Sequence, residues 1–305
     1  MQTVEEVRRQ LEVAHDLHEI VGTMKTLAAA SIRQAEEAVA ALGTYYDTVE
    51  RGFQILLRRT PDLWLPWTAA SVEPDVALVF GAGQGLCGRF NERLAEYVQE
   101  HRPEKGPLGT VATVGDRIVP ALERRGLSVA LQFEAPSAVA GIPDAVRAVL
   151  MAVDTWQEEG GTTGVMLYHH KPQSGTAYTP RVQRLMPLDP DWFSHLRAQP
   201  WPTNQLPTYT MDEEALLAAL IRQYLFVSLF RAFAESMASE HASRLASMQA
   251  AERNVEGRID SLSTRLRQRR QHQITEEVMD VTAGFRALTG VPISTRASKS
   301  GRTGS

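Results

Sequence analysis

Residues 76–80 read Val-Ala-Leu-Val-Phe, and in the eleven residues that follow, GAGQGLCGRFN, Gly83, Gly85 and Gly88 spell G-x-G-x-x-G. Glycines so spaced let the backbone come up against a pyrophosphate at a helix N-terminus, with an acidic residue about 20 positions further on to hold the ribose. Only part of that chemistry is present. The turn already begins at Gly81, and the next β-rich stretch supplies no carboxylate before Asp116. Two readings follow: a nucleotide- or NAD-binding oxidoreductase built on residues 81–88, or a strand-to-helix turn that needs backbone freedom. A lone pattern of this kind favours the turn.

Other reactive constellations are sparse. No phosphate loop of the G-x-x-x-x-G-K-[ST] type, no H-E-x-x-H and no G-x-S-x-G occurs. His15 and His18 stand three apart on a carboxylate-rich helix and read as a solvated face. His169 and His170 are neighbours at a strand end, where adjacent side chains point to opposite faces, so they do not converge on one ion. Cys87 is the single cysteine, which rules out an internal disulfide and a Cys-based zinc site without other ligands. It reads as a small buried apolar residue. No catalytic residue, cofactor or metal is therefore expected. Arg265, Arg267, Arg269 and Arg270 form a dense cationic run, either a solvated helix face or a contact with an acidic partner. With a net charge of -4 and no interleaved aromatics, nucleic acid is not an expected partner.

The elements around these residues are marked by where helix breakers fall. Fifteen of the sixteen prolines and all five tryptophans lie between residues 61 and 207, so the 305-residue chain divides into a helix, a compact middle and a second helix. The N-terminal stretch is charged and amphipathic without the features of a secretory signal. The most apolar stretch, residues 215–238, is interrupted by Arg222 and Arg231, which argues against a membrane span.

From about Asp212 to Leu288, apolar residues at 245, 248, 255, 259, 262, 266, 274, 278, 281, 285 and 288 approximate a 3-4 alternation, a coiled-coil seam. An uninterrupted helix of that extent is roughly 115 Å long, so it is expected to project from any globular body. The N-terminal segment repeats the theme through Val4, Val7, Leu11 and Ala14, then Ile20, Met24 and Leu27. Small runs, Ala28 to Ser31 and 242–251, would let helices approach closely. An intramolecular antiparallel coiled coil is the simplest way to bury both stripes, with a homodimer as the alternative. Residues between the helices alternate β-rich and amphipathic runs, which predicts an α/β domain with a small, mainly parallel sheet.

Three motifs in order also carry a family resemblance across nearly the whole chain. LHEIVGTMKTLAAASIRQAE, with Ile20, Met24, Ala28, Ala29, Arg33 and Ala35, is similar to the N-terminal signature of the gamma subunit of F-type ATP synthases. GLCGRFN, with Gly85, Leu86, Cys87, Gly88 and Asn91, resembles that family's foot-domain turn. ASEHASRLASMQAAERN and RRQHQITEEVMDVTAG resemble its C-terminal helix through Ser239, Glu240, Ala242, Arg244, Met248, Ala250, Ala251, Asn254, Arg270, Gln271, Ile274, Thr275, Glu277 and Gly284. Several stretches look more like the divergent branch of sodium-type alternative synthases.

The resemblance implies a long antiparallel coiled coil of N- and C-terminal helices with an inserted Rossmann-like α/β domain. Its expected divisions are 1–60 and 212–292 for the helices, 72–197 for the foot, 198–211 for a proline-rich linker and 293–305 for a disordered tail. It implies a non-catalytic rotor that couples ion flow through a membrane ring to nucleotide sites elsewhere. Expected partners are the alpha and beta subunits of a hexamer, the epsilon subunit and the c-ring, peripheral to the cytoplasmic face of a bacterial inner membrane. Contact with beta would fall on Met24, Glu240, Arg244, Arg270, Gln271 and Thr275, and the cationic run adds Arg265 and Arg267.

Overall fold

The computed structural model describes residues 3–60, 75–101, 109–160, 164–201, 204–205 and 208–289. Helix α1 (Val4–Arg59) runs 56 residues without proline. Thr3 caps it, its Oγ1 accepting the Glu6 N–H at 3.2 Å, and Glu5 and Glu6 sit in the first turn, where the helix dipole favours anions. The rest follows as β1 (Val76–Phe80), α2 (Phe90–Glu100), β2 (Thr110–Val114), α3 (Val119–Glu123), β3 (Val129–Phe133), a short 3-10 turn, α4 (Ile142–Gly160), β4 (Val165–Pro172), β5 (Tyr178–Met186), α5 (Pro190–Ala198) and α6 (Glu213–Thr289). The chain makes two compact units, one of Val21–Ala251 and one of Met1–Ile20 with Glu252–Ser305.

In the larger unit the strand order is β3-β2-β1-β4-β5, parallel except for β5, which runs antiparallel to β4. Alternation along β1 sends Ala77 and Val79 to one face and Val76, Leu78 and Phe80 to the other. The first face packs on α2 and α3 through Leu94, Val98, Ile118 and Leu122. The second packs on α4 through Ile142, Val146 and Val149, and on α6 through Leu229, Ala232, Phe233 and Met237. Helix α6 is thus one layer of the α/β domain. That explains its apolar middle: the side chains cover a sheet, so no membrane is needed to account for them.

A third core joins α1 to α5 and the start of α6. Phe53 is fully buried and meets Trp192 and Phe193 edge-on at ring distances of 5.4 and 5.7 Å, with Leu56, Leu196 and Leu217 around them. Tyr45 donates to Gln223 Oε1 at 2.7 Å while Gly52 lies against Leu220, so α1 and α6 run antiparallel in this unit. Helix α5 falls in a stretch the periodicity left unassigned. Its start was nevertheless encoded: Asp189 accepts the Asp191 N–H at 2.9 Å, and Pro190 occupies the first turn.

In the smaller unit Val7, Ala14 and Leu262 form a core flanked by Leu11, Ile259 and Leu266. His18 lies beside Glu256 while Val7 belongs with Leu262, so this pair of helices is antiparallel too. Along α1 the buried residues as far as Ala35 are Val7, Ala14, Val21, Ala28 and Ala35, one every seven, and Val49 and Leu56 keep that spacing where the buried stripe widens to take in Phe53, Gln54 and Leu57. The expected N-terminal seam holds through Val7 and Ala14, with Val4, Leu11 and Met24 half-buried, and is corrected at Ile20 and Leu27. Ile20 and Leu27 are 55% and 63% exposed, and the neighbouring Val21 and Ala28 face inward. Following the larger side chains tracked the outside of the helix, because closely approaching helices place small residues at the contact. The α6 seam is buried at Met248 and Leu262 and half-buried at Leu245, Val255, Ile259 and Leu266, and from Gln271 to Phe285 every residue is exposed. The expected tail at 293–305 lies outside the described residues, as do parts of the expected linker.

Candidate functional site

The glycine turn leaves β1 and is held against α6, not against open solvent. A Cβ on Gly81 would fall 2.5 Å from the Ile118 side chain, so only glycine lets α3 approach there. Gly88 has φ +56°, and a Cβ on it would lie 2.9 Å from Ser247 Oγ. The buried Asn91 closes the turn, its Oδ1 accepting the Ala82 N–H at 2.9 Å. Leu86 also has positive φ, at 64°, and stands 61% exposed at the tip.

Helix α6 meets the turn with residues on successive turns of one face. Ser236 Oγ donates to Phe80 O at 3.4 Å, and Ser243 Oγ donates to Cys87 O at 2.5 Å while pairing with the Tyr178 hydroxyl at 2.9 Å. Glu240 accepts from both Gly83 N–H, at 3.1 Å, and Gln84 N–H, at 3.2 Å. Arg244 donates through Nε to Gly85 O at 3.3 Å and through Nη2 to the Glu240 carboxylate. Arg244 is 3% exposed, so the ion pair is desolvated, and its value depends on these hydrogen bonds to the turn.

This arrangement decides between the two readings of the glycines. In a doubly wound sheet, ligands bind at the C-terminal ends of the strands where the order reverses, here between β1 and β4. That crevice is filled by α6, and the Glu240 carboxylate accepts the turn's N–H groups as a phosphate would. Two cavities beside the turn measure about 20 and 180 Å³, both below the roughly 300 Å³ of a small ligand pocket. The oxidoreductase alternative has no support here.

Two titratable groups around the turn, Cys87 and His241, are shifted by burial. Burial, then the nearby Glu240 carboxylate, pushes the Cys87 thiol up to about 11, so it stays protonated and inert at neutral pH. His241 is pushed down to about 4 by burial and by Arg244, whose Nη1 lies 2.7 Å from its Nδ1. His169 and His170 do point to opposite faces: His170 Nε2 reaches Phe90 O at 3.0 Å, and His169 Nδ1 lies 3.7 Å from the buried Glu235. Burial lowers both, His170 to about 4. Glu235 is held in turn by Arg231 at 2.8 Å.

The remaining expected site residues fall elsewhere. Met24 is half-buried on α1 of the larger unit. Arg265, Arg267, Arg270, Gln271 and Thr275 are all exposed on α6 within the smaller unit, followed by the exposed apolar side chains of Ile274, Val278, Met279, Val281 and Phe285. Arg265 and Arg270 have no ion-pair partner among the described residues. Sequence reasoning missed Ser236, Tyr178 and Ser247, which touch the turn, although Ser236, Ser243 and Ser247 lie on the same helical face as Glu240.

A mostly parallel five-stranded sheet, inserted in sequence between two long helices and with the crevice at its strand ends filled by the second of them, defines an α/β domain carried on long helices, with the place where such sheets bind ligands taken by its own chain. Comparison with known proteins carries this further. The family described as ATP synthase matches residues 3–288. The chain is 26% identical to the ATP synthase gamma chain of Moorella thermoacetica and 30% identical to that of a Synechococcus strain, over 94% of this chain and 100% of each relative. Its fold is similar to a chain of the Euglena gracilis mitochondrial ATP synthase OSCP/F1/c-ring structure, with a TM-score of 0.64, 17% identity and coverage of 96% of this chain and 97% of that one. A chain of the Tetrahymena thermophila central stalk/c-ring structure gives a TM-score of 0.55 at 18% identity, covering 76% of this chain and 99% of that one. The chain belongs to the ATP synthase family, among its gamma chains.

Proposed function

We propose that this chain is the central-stalk rotor of an F-type ATP synthase, relaying rotation of a membrane ring to the nucleotide sites of the beta subunits while binding no nucleotide itself. The observation that carries this reading is the end of α6, where Arg265, Arg267 and Arg270 are followed by a stripe of exposed apolar residues from Ile274 to Phe285 that finds no cover among the described residues. Uncovered apolar surface of this kind marks a contact with another protein. A shaft biases three beta subunits only if it presents each with a different surface, since equilibria shift through differential interaction alone. One helix with cations at one level and apolar side chains at the next supplies that difference.

In this assignment Met24, Arg265, Arg267, Arg270, Gln271 and Thr275 contact the beta subunits directly. Glu240 and Arg244 act through the turn they hold, which displays Gln84, Gly85 and Leu86. The stripe from Ile274 onward serves as an apolar bearing within the alpha-beta hexamer. The α/β domain forms the foot toward the epsilon subunit and the c-ring, peripheral to the cytoplasmic face of a bacterial inner membrane. Purification of the tagged chain from its own cells is expected to recover alpha, beta and epsilon subunits with ATPase activity. Recovery of a homodimer without them overturns the assignment. In the recovered complex, glutamate at 265, 267 and 270 together is expected to lower ATP-driven ion pumping more than ATP hydrolysis, and an unchanged ratio removes those arginines from the contact.

A further inference from the structure

One cluster of metal-ligating side chains lies apart from the glycine turn, wholly within the smaller unit. His18 on α1 and Glu252 and Glu256 on α6 each bring a ligand atom to within 4.8 Å of the others. His18 Nε2 is 3.4 Å from Glu256 Oε1. Two ligands each about 2.0–2.1 Å from a tetrahedral zinc ion lie about 3.4 Å apart, so this separation is the one a shared ion requires. Glu252 and Glu256 are one helical turn apart and share a face of α6. His18 stands seven and fourteen residues after the half-buried Leu11 and Val4, on the side of α1 that faces α6. The set thus bridges the two helices at the edge of their seam, with His18 and Glu252 half-buried and Glu256 exposed.

We propose that His18, Glu252 and Glu256 bind one divalent ion of the zinc, cobalt or nickel class, which ties α1 to α6. An imidazole with two carboxylates suits these borderline ions, whereas magnesium and calcium prefer oxygen-only shells with more ligands. Three protein ligands leave a fourth position for water. The bound ion cross-links two helices otherwise held in this unit by Val7, Ala14 and Leu262 with their three flanking residues, and resists their sliding or unwinding. His15, exposed and one turn earlier, takes no part.

The test uses the full-length chain, stripped with chelator and titrated with cobalt(II), followed by zinc competition against a chromogenic chelator. One ion per chain with the visible absorption of tetrahedral cobalt is expected, and zinc is expected to raise the melting temperature. His18→Gln and Glu256→Gln should each weaken zinc binding by about tenfold or more and abolish the melting shift, while His15→Gln changes neither. Circular dichroism of the metal-free variants checks that each keeps wild-type helix content. Absence of a cobalt band, or binding that survives both His18→Gln and Glu256→Gln, overturns the proposal. So does equal loss from His15→Gln, which would assign the ion to the pair of histidines on α1. None of these outcomes depends on whether the chain is a rotor.

Discussion

The carboxylate of Glu240 accepts the N–H of Gly83 at 3.1 Å across 157 residues of sequence, so the first turn of the inserted domain is fastened to the helix that follows that domain. The same carboxylate pairs with the buried Arg244, which donates to the next carbonyl of the turn. Glu240→Ala leaves a buried guanidinium and two turn amides without their anion and is expected to destabilise the chain by about 3–5 kcal/mol. Glu240→Gln keeps one acceptor but turns an amide NH2 toward N–H donors, for about 1–3 kcal/mol. Urea unfolding measures both. Faster hydrogen exchange at Gly83 and Gln84 in the glutamine variant should accompany the loss, and unchanged exchange there would show that Glu240 does not hold the turn.

The glycines of the turn differ in what they are for. Gly88 needs its left-handed backbone and has Ser247 against it, so Gly88→Ala is expected to cost about 1–2 kcal/mol from φ alone, with crowding added. At Gly85 a Cβ meets nothing within 4 Å, and Gly85→Ala should stay within about 0.5 kcal/mol. Comparing the two melting curves checks this. Equal effects would mean that the spacing itself matters, as in a phosphate cradle, and not the fit against α6.

Much of this was legible in the sequence because local patterns are short-range. The strand and helix runs of the middle domain, and the division into long helices and insert, follow from period and from where proline stands. What escaped depends on distance in sequence. Nothing near Gly83 announces that its partner is Glu240, and a favourable i, i+4 pair such as Glu240 and Arg244 reads as surface until the turn is seen lying over it. The register of α1 escaped for another reason: Ala28 and Ala35 are buried because they are small, while hydropathy draws the eye to Ile20 and Leu27. Helix α5 was recoverable from Asp189 and Pro190, but nine residues are too few for periodicity to assert itself.

Acid should loosen the larger unit through its buried imidazoles. His170 and His241 lie near 4 in the folded chain against an ordinary 6.5, and His169 is lowered too. Between those values the unfolded chain binds protons that the folded one refuses. Stability is therefore fully present above pH 6.5 and falls as pH drops toward 4. Each histidine adds up to one proton, or about 1.4 kcal/mol per pH unit, to the slope. His241→Gln, which leaves Arg244 an acceptor, should lower the slope between pH 6 and pH 4.5 by about one proton. A slope unchanged by that substitution would show that His241 titrates normally in the folded chain.

Leu262 and Val278 both belong to the apolar repeat of α6, yet only the first is covered, being 1% exposed against 59%. Leu262→Ala opens a cavity in the small core with Val7 and Ala14 and is expected to cost about 2–5 kcal/mol. Val278→Ser and Val281→Ser should each change the stability of the isolated chain by less than about 0.5 kcal/mol, since neither side chain is covered there. If the stripe is a bearing, the order reverses in the assembled complex: the serine pair weakens association with the alpha-beta hexamer, read as faster dissociation, although the chain folds normally. Serine variants that destabilise the free chain as much as Leu262→Ala would show that the stripe is buried within this chain, and would remove the exposed surface on which the bearing depends.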